Sequence, residues 1–199
     1  MSIVVVGSMA FDTVKTPYGE VVDALGGAAT YFSLAASYFC PVKVVAVVGD
    51  DFGNEHIELL ERHGVETEGI ERAAGRSFRW GGEYSWNLNE RTTNFTELNV
   101  FETFNPKLPP AYRQVPFVFL ANIDPELQMS VLDQVEDPEL VACDTMNFWI
   151  EGKPDKLHEL LQDVDVLVIN DDEARELSGS YNLVEAAALI GDKGPSAVV

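Results

Sequence analysis

Basic residues are scarce in this chain. Thirteen Lys and Arg stand against 33 Asp and Glu, a formal net charge of -20 over 199 residues, and the few cations form no stripe. A surface of that sign repels phosphate backbones, which points away from nucleic acid as a partner. Acidity of this degree also occurs in salt-adapted proteins, and composition alone does not separate the two. Cysteine is nearly absent: Cys40 and Cys143 sit in apolar contexts with no CxxC and no neighbouring His, which excludes a disulfide framework and argues against a metal site. Both are expected to be reduced and buried. No apolar run reaches the ~18 residues of a membrane span, and the opening Met-Ser-Ile-Val-Val-Val-Gly has no basic flank of a secretory signal. A cytoplasmic protein with no membrane attachment is expected. The three histidines, His56, His63 and His158, fall on predicted helices in surface or packing roles, and no Ser-His-Asp or Cys-His arrangement can be assembled.

What is present is an alternation. Ile3 to Val6 is a β-branched run ending at Gly7-Ser8, the pattern of a strand buried on both faces. Asp12 to Leu25 reads as a half-exposed hairpin around Thr16-Pro17-Tyr18-Gly19, since Pro and Gly preset the turn. Gly26-Gly27 opens a helix predicted over Ala28 to Phe39 and stopped by Pro41. Val42 to Val48 is again a buried strand, and a helix from Asn54 ends at Gly64. Strand, helix, strand, helix is the signature of a parallel α/β sheet.

Arg76 to Phe104 interrupts it. Phe78, Trp80, Tyr84 and Trp86 alternate with polar residues around Gly81-Gly82, and Phe95, Leu98 and Val100 follow, which predicts antiparallel strands forming one small sheet with the first hairpin. Beyond Pro106, Pro109 and Pro110 the alternation resumes. Strands are predicted at Phe117 to Ala121, Leu140 to Cys143 and Val166 to Ile169. Helices are predicted from Pro125 after the cap Asp124, over Pro154 to Val164, over Asp171 to Leu177 before Gly179, and over Leu183 to Ile190. Ser196 to Val199 begins another strand, and a buried strand cut near its start reads as a fragment.

Ligands of open parallel sheets bind beyond the carboxyl ends of the strands. Asp12, Asp50-Asp51, Asp144 with Asn147, and Asn170 to Glu173 fall there. Each also has a plain structural reading. Asp12 can accept local N-H bonds in a turn, Asp50-Asp51 can be a turn and cap, and Asp171, Asp172 and Glu173 suit the first turn of a helix. Gly26-Gly27 lacks the third glycine of a dinucleotide fingerprint. Arg79 and Arg91 are the cations best suited to an anionic or hydroxylated ligand, and the aromatics from Phe78 to Trp86 suit either stacking on a ligand or packing.

In this order, Val6-Gly7-Ser8 with Asp12, Gly26-Gly27-Ala28-Ala29, Val48-Gly49-Asp50-Asp51-Phe52-Gly53, and Asn170 with Glu173 and Leu177 resemble the ribokinase-like, or pfkB, carbohydrate kinases. The resemblance implies a Rossmann-like α/β sandwich, its C-terminal part absent from this chain, with a β lid at about 11–25 and 76–104. It implies ATP-dependent phosphorylation of a sugar or nucleoside alcohol and a homodimer through the lid. By similarity Asp12 holds substrate hydroxyls above Gly26 and Gly27, and Asn170 and Glu173 organise Mg2+ and phosphate. Two departures stand out. Tyr31 occupies the region where many members have Asn, and the family's Gly-Ala-Gly-Asp-type segment, source of the anion hole and catalytic carboxylate, has no match. The polypeptide by itself is therefore expected to be inactive; a non-catalytic sugar-binding protein is the alternative.

Overall fold

The computed structural model describes residues 1–86, 88 and 91–199, and of residue 91 the backbone alone. In chain order the elements are β1 (Ile3–Val6), β2 (Ala10–Thr16), β3 (Gly19–Gly26), α1 (Ala28–Ala36), β4 (Val42–Val48), α2 (Asn54–Arg62), β5 (Val65–Arg72), β6 (Phe78–Tyr84) and β7 (Arg91–Glu97). After 3-10 turns at Asn99–Thr103 and Pro110–Tyr112 come β8 (Phe117–Leu120), α3 (Pro125–Leu132), β9 (Leu140–Asp144), α4 (Asn147–Gly152), α5 (Pro154–Leu161), β10 (Val166–Val168), α6 (Asp171–Ser178), α7 (Leu183–Gly191) and β11 (Ala197–Val198). The chain divides into two compact units, one of Met1–Val6 with Pro106–Val199 and one of Gly7–Asn105. The architecture is α/β, mostly parallel, with a smaller mixed sheet.

In the first unit five strands lie parallel in the order β11-β10-β9-β8-β1. Val4, Val5, Val6, Val118, Leu120, Val141, Cys143 and Leu167 are all buried, as apolar runs covered on both faces must be. Helix α5 buries Leu157, Leu160 and Leu161 completely; their i, i+3, i+4 spacing makes one stripe, and each contributes about 1.5–3 kcal/mol of transfer free energy. The helix starts follow local chemistry. Asp124 Oδ1 accepts from Glu126 N-H at 3.0 Å with Pro125 in the first turn, and Gly179 closes α6 at φ 75°, a conformation that favours glycine. Helix α4 lies where the sequence suggested only polar residues at a strand end.

In the second unit β4 pairs with β5 in parallel, a strand the sequence did not announce because Glu66, Glu68 and Glu71 dilute its apolar pattern. Helix α1 stops at Ala36, three residues short of the expected Phe39: the N-H groups of Ser37, Phe39 and Cys40 close a terminal turn on Ser33, Ala36 and Ala36 carbonyls. This leaves Cys40 only half-buried, against expectation, while Cys143 is buried.

The small sheet has the order β3-β2-β6-β7. Its hairpins β2/β3 and β6/β7 are antiparallel, but they join through a parallel β2/β6 ladder, so the sheet is mixed. Residues 99–103 form a 3-10 turn instead of the expected strand. The β2/β6 register pairs Asp12 with Trp80 and Val14 with Gly82 on one face, and Phe11 with Arg79 and Lys15 with Glu83 on the other. Two contacts verify the second face: the Arg79 guanidinium lies over the Phe11 ring at 5.0 Å, and Lys15 Nζ meets Glu83 Oε1 at 3.0 Å.

Candidate functional site

In the second unit, Asp12 is half-buried on β2. Its carboxyl group lies against the Cα of Gly26 on β3, where any β-carbon would collide with it. Among the described residues it has no hydrogen-bond or ion-pair partner, and burial pushes it up to about 6. Nothing among the described residues offsets the desolvation of this carboxyl. Gly27 follows at φ 94°, and a β-carbon there would strike the Ser8 carbonyl. Ser8 takes the first N-H groups of α1: Ala28 N-H donates to its Oγ at 3.2 Å and Ala29 N-H to its carbonyl at 3.0 Å. The glycine turn is thus no free anion cradle; it brings the helix start under Asp12. Thr30 Oγ1 donates to the Gly26 carbonyl at 2.8 Å, and the mostly exposed Tyr31 donates its hydroxyl to the Leu25 carbonyl at 3.0 Å.

Arg79 is not brought to Asp12. It lies on the opposite face of the sheet, its guanidinium bridging Asp23 and Asp51. Asp51 also accepts from Ser77 N-H and Oγ, both at 2.7 Å. Burial works to raise Asp51, yet the Ser77 hydrogen bonds and Arg79 hold it below its ordinary value. Asp50 accepts from Gly75 N-H at 2.9 Å. Asp50 and Asp51 thus root β6 on the turn after β4. The side chain of Arg91 lies outside the described residues. His56 packs against Phe11 and Phe52, and His63 Nδ1 is 2.8 Å from the Leu59 carbonyl.

In the first unit, Asn170 and Glu173 bond each other. Asn170 Oδ1 accepts from Glu173 N-H at 2.9 Å and Glu173 Oε2 from Asn170 N-H at 3.2 Å, a capping box at the start of α6. Asp171 and Asp172 pair with Arg175 at 2.6 and 2.9 Å. Asp144 ends β9 and is pushed up to about 6, first by burial and then by the negative charge of Glu173. Gln128 went unnoticed in the sequence. Fully buried on α3, its Nε2 lies 3.1, 3.0 and 3.1 Å from the carbonyls of Leu120, Ala121 and Asp144 and ties the ends of β8 and β9. A polar residue between Pro125 and Val131 on the buried stripe of α3 was the available signal. Among the described residues no three acidic, His or Cys side chains converge as a metal cage.

A glycine set against an unpartnered carboxylate, and an Asn-x-x-Glu cap beside a second raised carboxyl, are accompanied by a match along the whole chain: residues 1–199 match the pfkB family carbohydrate kinases. The chain belongs to the pfkB family. A cytidine kinase of Thermococcus kodakarensis is 22% identical over 203 residues, covering 100% of this chain and 72% of that protein. Among solved structures, the adenosine kinase of Sinorhizobium meliloti superposes with TM-score 0.78 at 16% identity, covering 97% of this chain and 72% of its own. The ribokinase of Cryptococcus neoformans var. grubii serotype A in complex with ADP gives TM-score 0.75 at 17% identity, covering 98% and 70%. At these identities the structural likeness is one of pfkB fold. No helix among the described residues is long and apolar enough to cross a membrane.

Proposed function

We propose that this chain serves the ATP-dependent phosphorylation of an alcohol on a sugar or nucleoside. The observation that carries the reading is Asp12, a half-buried carboxyl with no partner among the described residues, set on Gly26. Sugar hydroxyls donate to such a group in charge-assisted bonds, which are roughly twice as strong as neutral ones. The four-stranded sheet acts as a lid over that substrate, and its exposed Tyr18, Val21 and Val22 support pairing of two copies through it. The kinases of cytidine and adenosine among the relatives support a nucleoside as well as a sugar.

Phosphoryl transfer depends on positioning and on neutralising charge. Mg2+ is held by one or two carboxylates together with waters and substrate phosphates, and Glu173 with Asp144, whose carboxyl is raised first by burial and then by the Glu173 charge, fits that requirement without a dedicated cage. Bound there, the ion would neutralise phosphate charge; Asn170 fixes Glu173 through the capping box.

The 199 residues contain no Gly-Ala-Gly-Asp-type segment, and loss of a general base alone lowers rate by ~10² to 10⁴. The polypeptide by itself therefore binds substrate without turning over ATP, which also keeps a non-catalytic sugar-binding role in view. A thermal-shift panel of sugars and nucleosides tests the binding: a specific ligand at ~100 Kd adds about 2.7 kcal/mol, and Asp12→Asn removes the shift. Substrate-dependent ADP release by this polypeptide would refute the inactivity.

A further inference from the structure

We infer that Gln128 is a positioning residue for Asp144: from inside the fold it grips the two peptide groups whose N-H groups hold the Asp144 carboxyl. The inference rests on the reading of Asp144 with Glu173 as the pair that takes Mg2+. All of these residues belong to the first unit.

A glutamine on the buried stripe of α3 needs a physical reason. Its side chain is completely buried, and its Oε1 has no hydrogen-bond partner among the described residues. An unpaired buried acceptor is unfavourable, and methionine would fill the same space without one. What the site uses is therefore the other end of the amide. Nε2 carries two hydrogens and has three carbonyls around it.

Those carbonyls are not equivalent. The carbonyl of Leu120, 3.1 Å away, belongs to the peptide group whose N-H, on Ala121, donates to the Val6 carbonyl at 2.9 Å; that group serves the sheet. The carbonyls of Ala121, at 3.0 Å, and Asp144, at 3.1 Å, belong to the peptide groups that carry the N-H of Asn122 and the N-H of Thr145. Both of these N-H groups donate to the Asp144 carboxyl. Every peptide bond among the described residues is trans, so C=O and N-H leave opposite edges of each plane. Gln128 thus holds one edge of each plane, and Asp144 accepts from the other.

Two chains of hydrogen bonds therefore start at one amide nitrogen and end on one carboxyl. In a poorly hydrated interior each bond of such a chain polarises the next, which strengthens the two N-H donors and fixes the direction from which the carboxyl is held. The placement matters because the β8/β9 ladder ends at Leu120 and Cys143. Gln128 joins the two segments just where that ladder stops and Asp144 begins.

Amide proton shifts and Mn2+ affinity of the 199-residue chain test the proposal, Mn2+ replacing Mg2+ because electron paramagnetic resonance reads its binding directly. Gln128→Met keeps the volume and removes both hydrogens. In it the metal-free Asn122 and Thr145 amide protons are expected to move upfield together, and Mn2+ binding to weaken by ~10- to 100-fold, the range for a group that orients a metal ligand. Gln128→His, which returns one N-H close to the position of Nε2, recovers part of that affinity. Affinities are compared below the onset of melting of each variant, so a loss of stability alone leaves them unchanged. Unmoved Asn122 and Thr145 protons in Gln128→Met overturn the proposal, as does an unchanged Mn2+ affinity where Asp144→Asn weakens it. Asp144→Asn also moves the same two protons upfield, since a neutral acceptor replaces the carboxyl; their constancy overturns the proposal whether or not Gln128→Met folds. If Asp144→Asn moves them but leaves Mn2+ affinity unchanged, the Mg2+ reading fails, and the amide shifts of Gln128→Met alone decide its grip on Asp144.

Discussion

The carboxyl of Asp12 and the Cα of Gly26 are in direct contact, with no room between them for a methyl group. The next glycine is confined differently, by the backbone carbonyl of Ser8 and by its own positive φ. The two neighbours therefore separate function from folding. Gly26→Ala keeps a backbone that alanine tolerates and moves only a side chain, so melting changes little while ligand-induced stabilisation is lost. Gly27→Ala combines a left-handed conformation with a backbone collision and destabilises by at least about 1–3 kcal/mol. Parallel melting curves with and without ligand check both.

Asp12 also sets a pH dependence. Its carboxyl titrates at about 6 when folded and at ~3.9 unfolded, so the folded chain holds the proton more tightly. The associated stability is fully present below about pH 4 and is lost as pH rises through about 6. Asp12→Asn is expected to be the more stable protein at about pH 8, by about 1 kcal/mol once solvent screening of a half-buried group is allowed for. The gap closes toward about pH 4. Hydroxyl binding runs the other way, weakening as the carboxylate is protonated below about pH 6. Denaturation midpoints across this range decide the matter; a gap independent of pH would contradict it.

The capping box separates two duties of Glu173. Glu173→Ala leaves the Asn170 N-H unpaired and lowers stability by about 1 kcal/mol, a melting shift of ~2–4 °C for a chain of this size. Glu173→Gln preserves the box, because Gln serves at the same position, but lowers the carboxylate count beside Asp144. Unchanged melting with loss of any Mg2+-induced stabilisation is the expected result.

Arg79 holds two carboxylates from one side chain that is only 12% exposed. Arg79→Ala leaves Asp23 and Asp51 without their shared cation and uncovers the Phe11 ring, a loss of about 1–3 kcal/mol. Arg79→Lys recovers little, since a single ammonium lacks the planar fork. Urea denaturation of the three proteins gives the comparison.

The two thiols differ in access. Burial first, and then the neighbouring Asp144 charge, push the Cys143 thiol up, whereas Cys40 is half-exposed at the end of α1. A thiol reagent at neutral pH labels Cys40 in the native chain and Cys143 only after unfolding; mass spectrometry reads which.

The sequence carried the apolar strands well because Val4 to Val6 and Val42 to Val48 have one physical solution, burial on both faces. Strand β5 escaped for the converse reason: it pairs only with β4, and an edge strand tolerates Glu66 and Glu68 that an inner one would not. Helix α4 was hidden by Asn147, Phe148 and Trp149, whose mixed character has no clear period over six residues. At the candidate site, the positions of Gly26, Gly27, Asn170 and Glu173 at element junctions were readable from local order, whereas Asp12 lies inside β2, which begins two residues before the expected hairpin. That Arg79 turns away from Asp12 was not, because it depends on a ladder between strands far apart in sequence. Nor was the capture of the α1 N-H groups by Ser8, which requires the chain to leave β1 and return beside itself.

That ladder has a consequence for how the chain folds. The β2/β6 pairing brings Ala10 to Phe78 and Lys15 to Glu83 across a loop that contains β3, α1, β4, α2 and β5. Closing so long a loop is unfavourable until the intervening elements have shortened it by packing, and non-local pairing of this kind slows folding. The two hairpins pair locally and their union into one sheet pairs residues far apart, so that union is expected to follow them. The sheet face that carries Asp12 is thus assembled only after the intervening elements have packed.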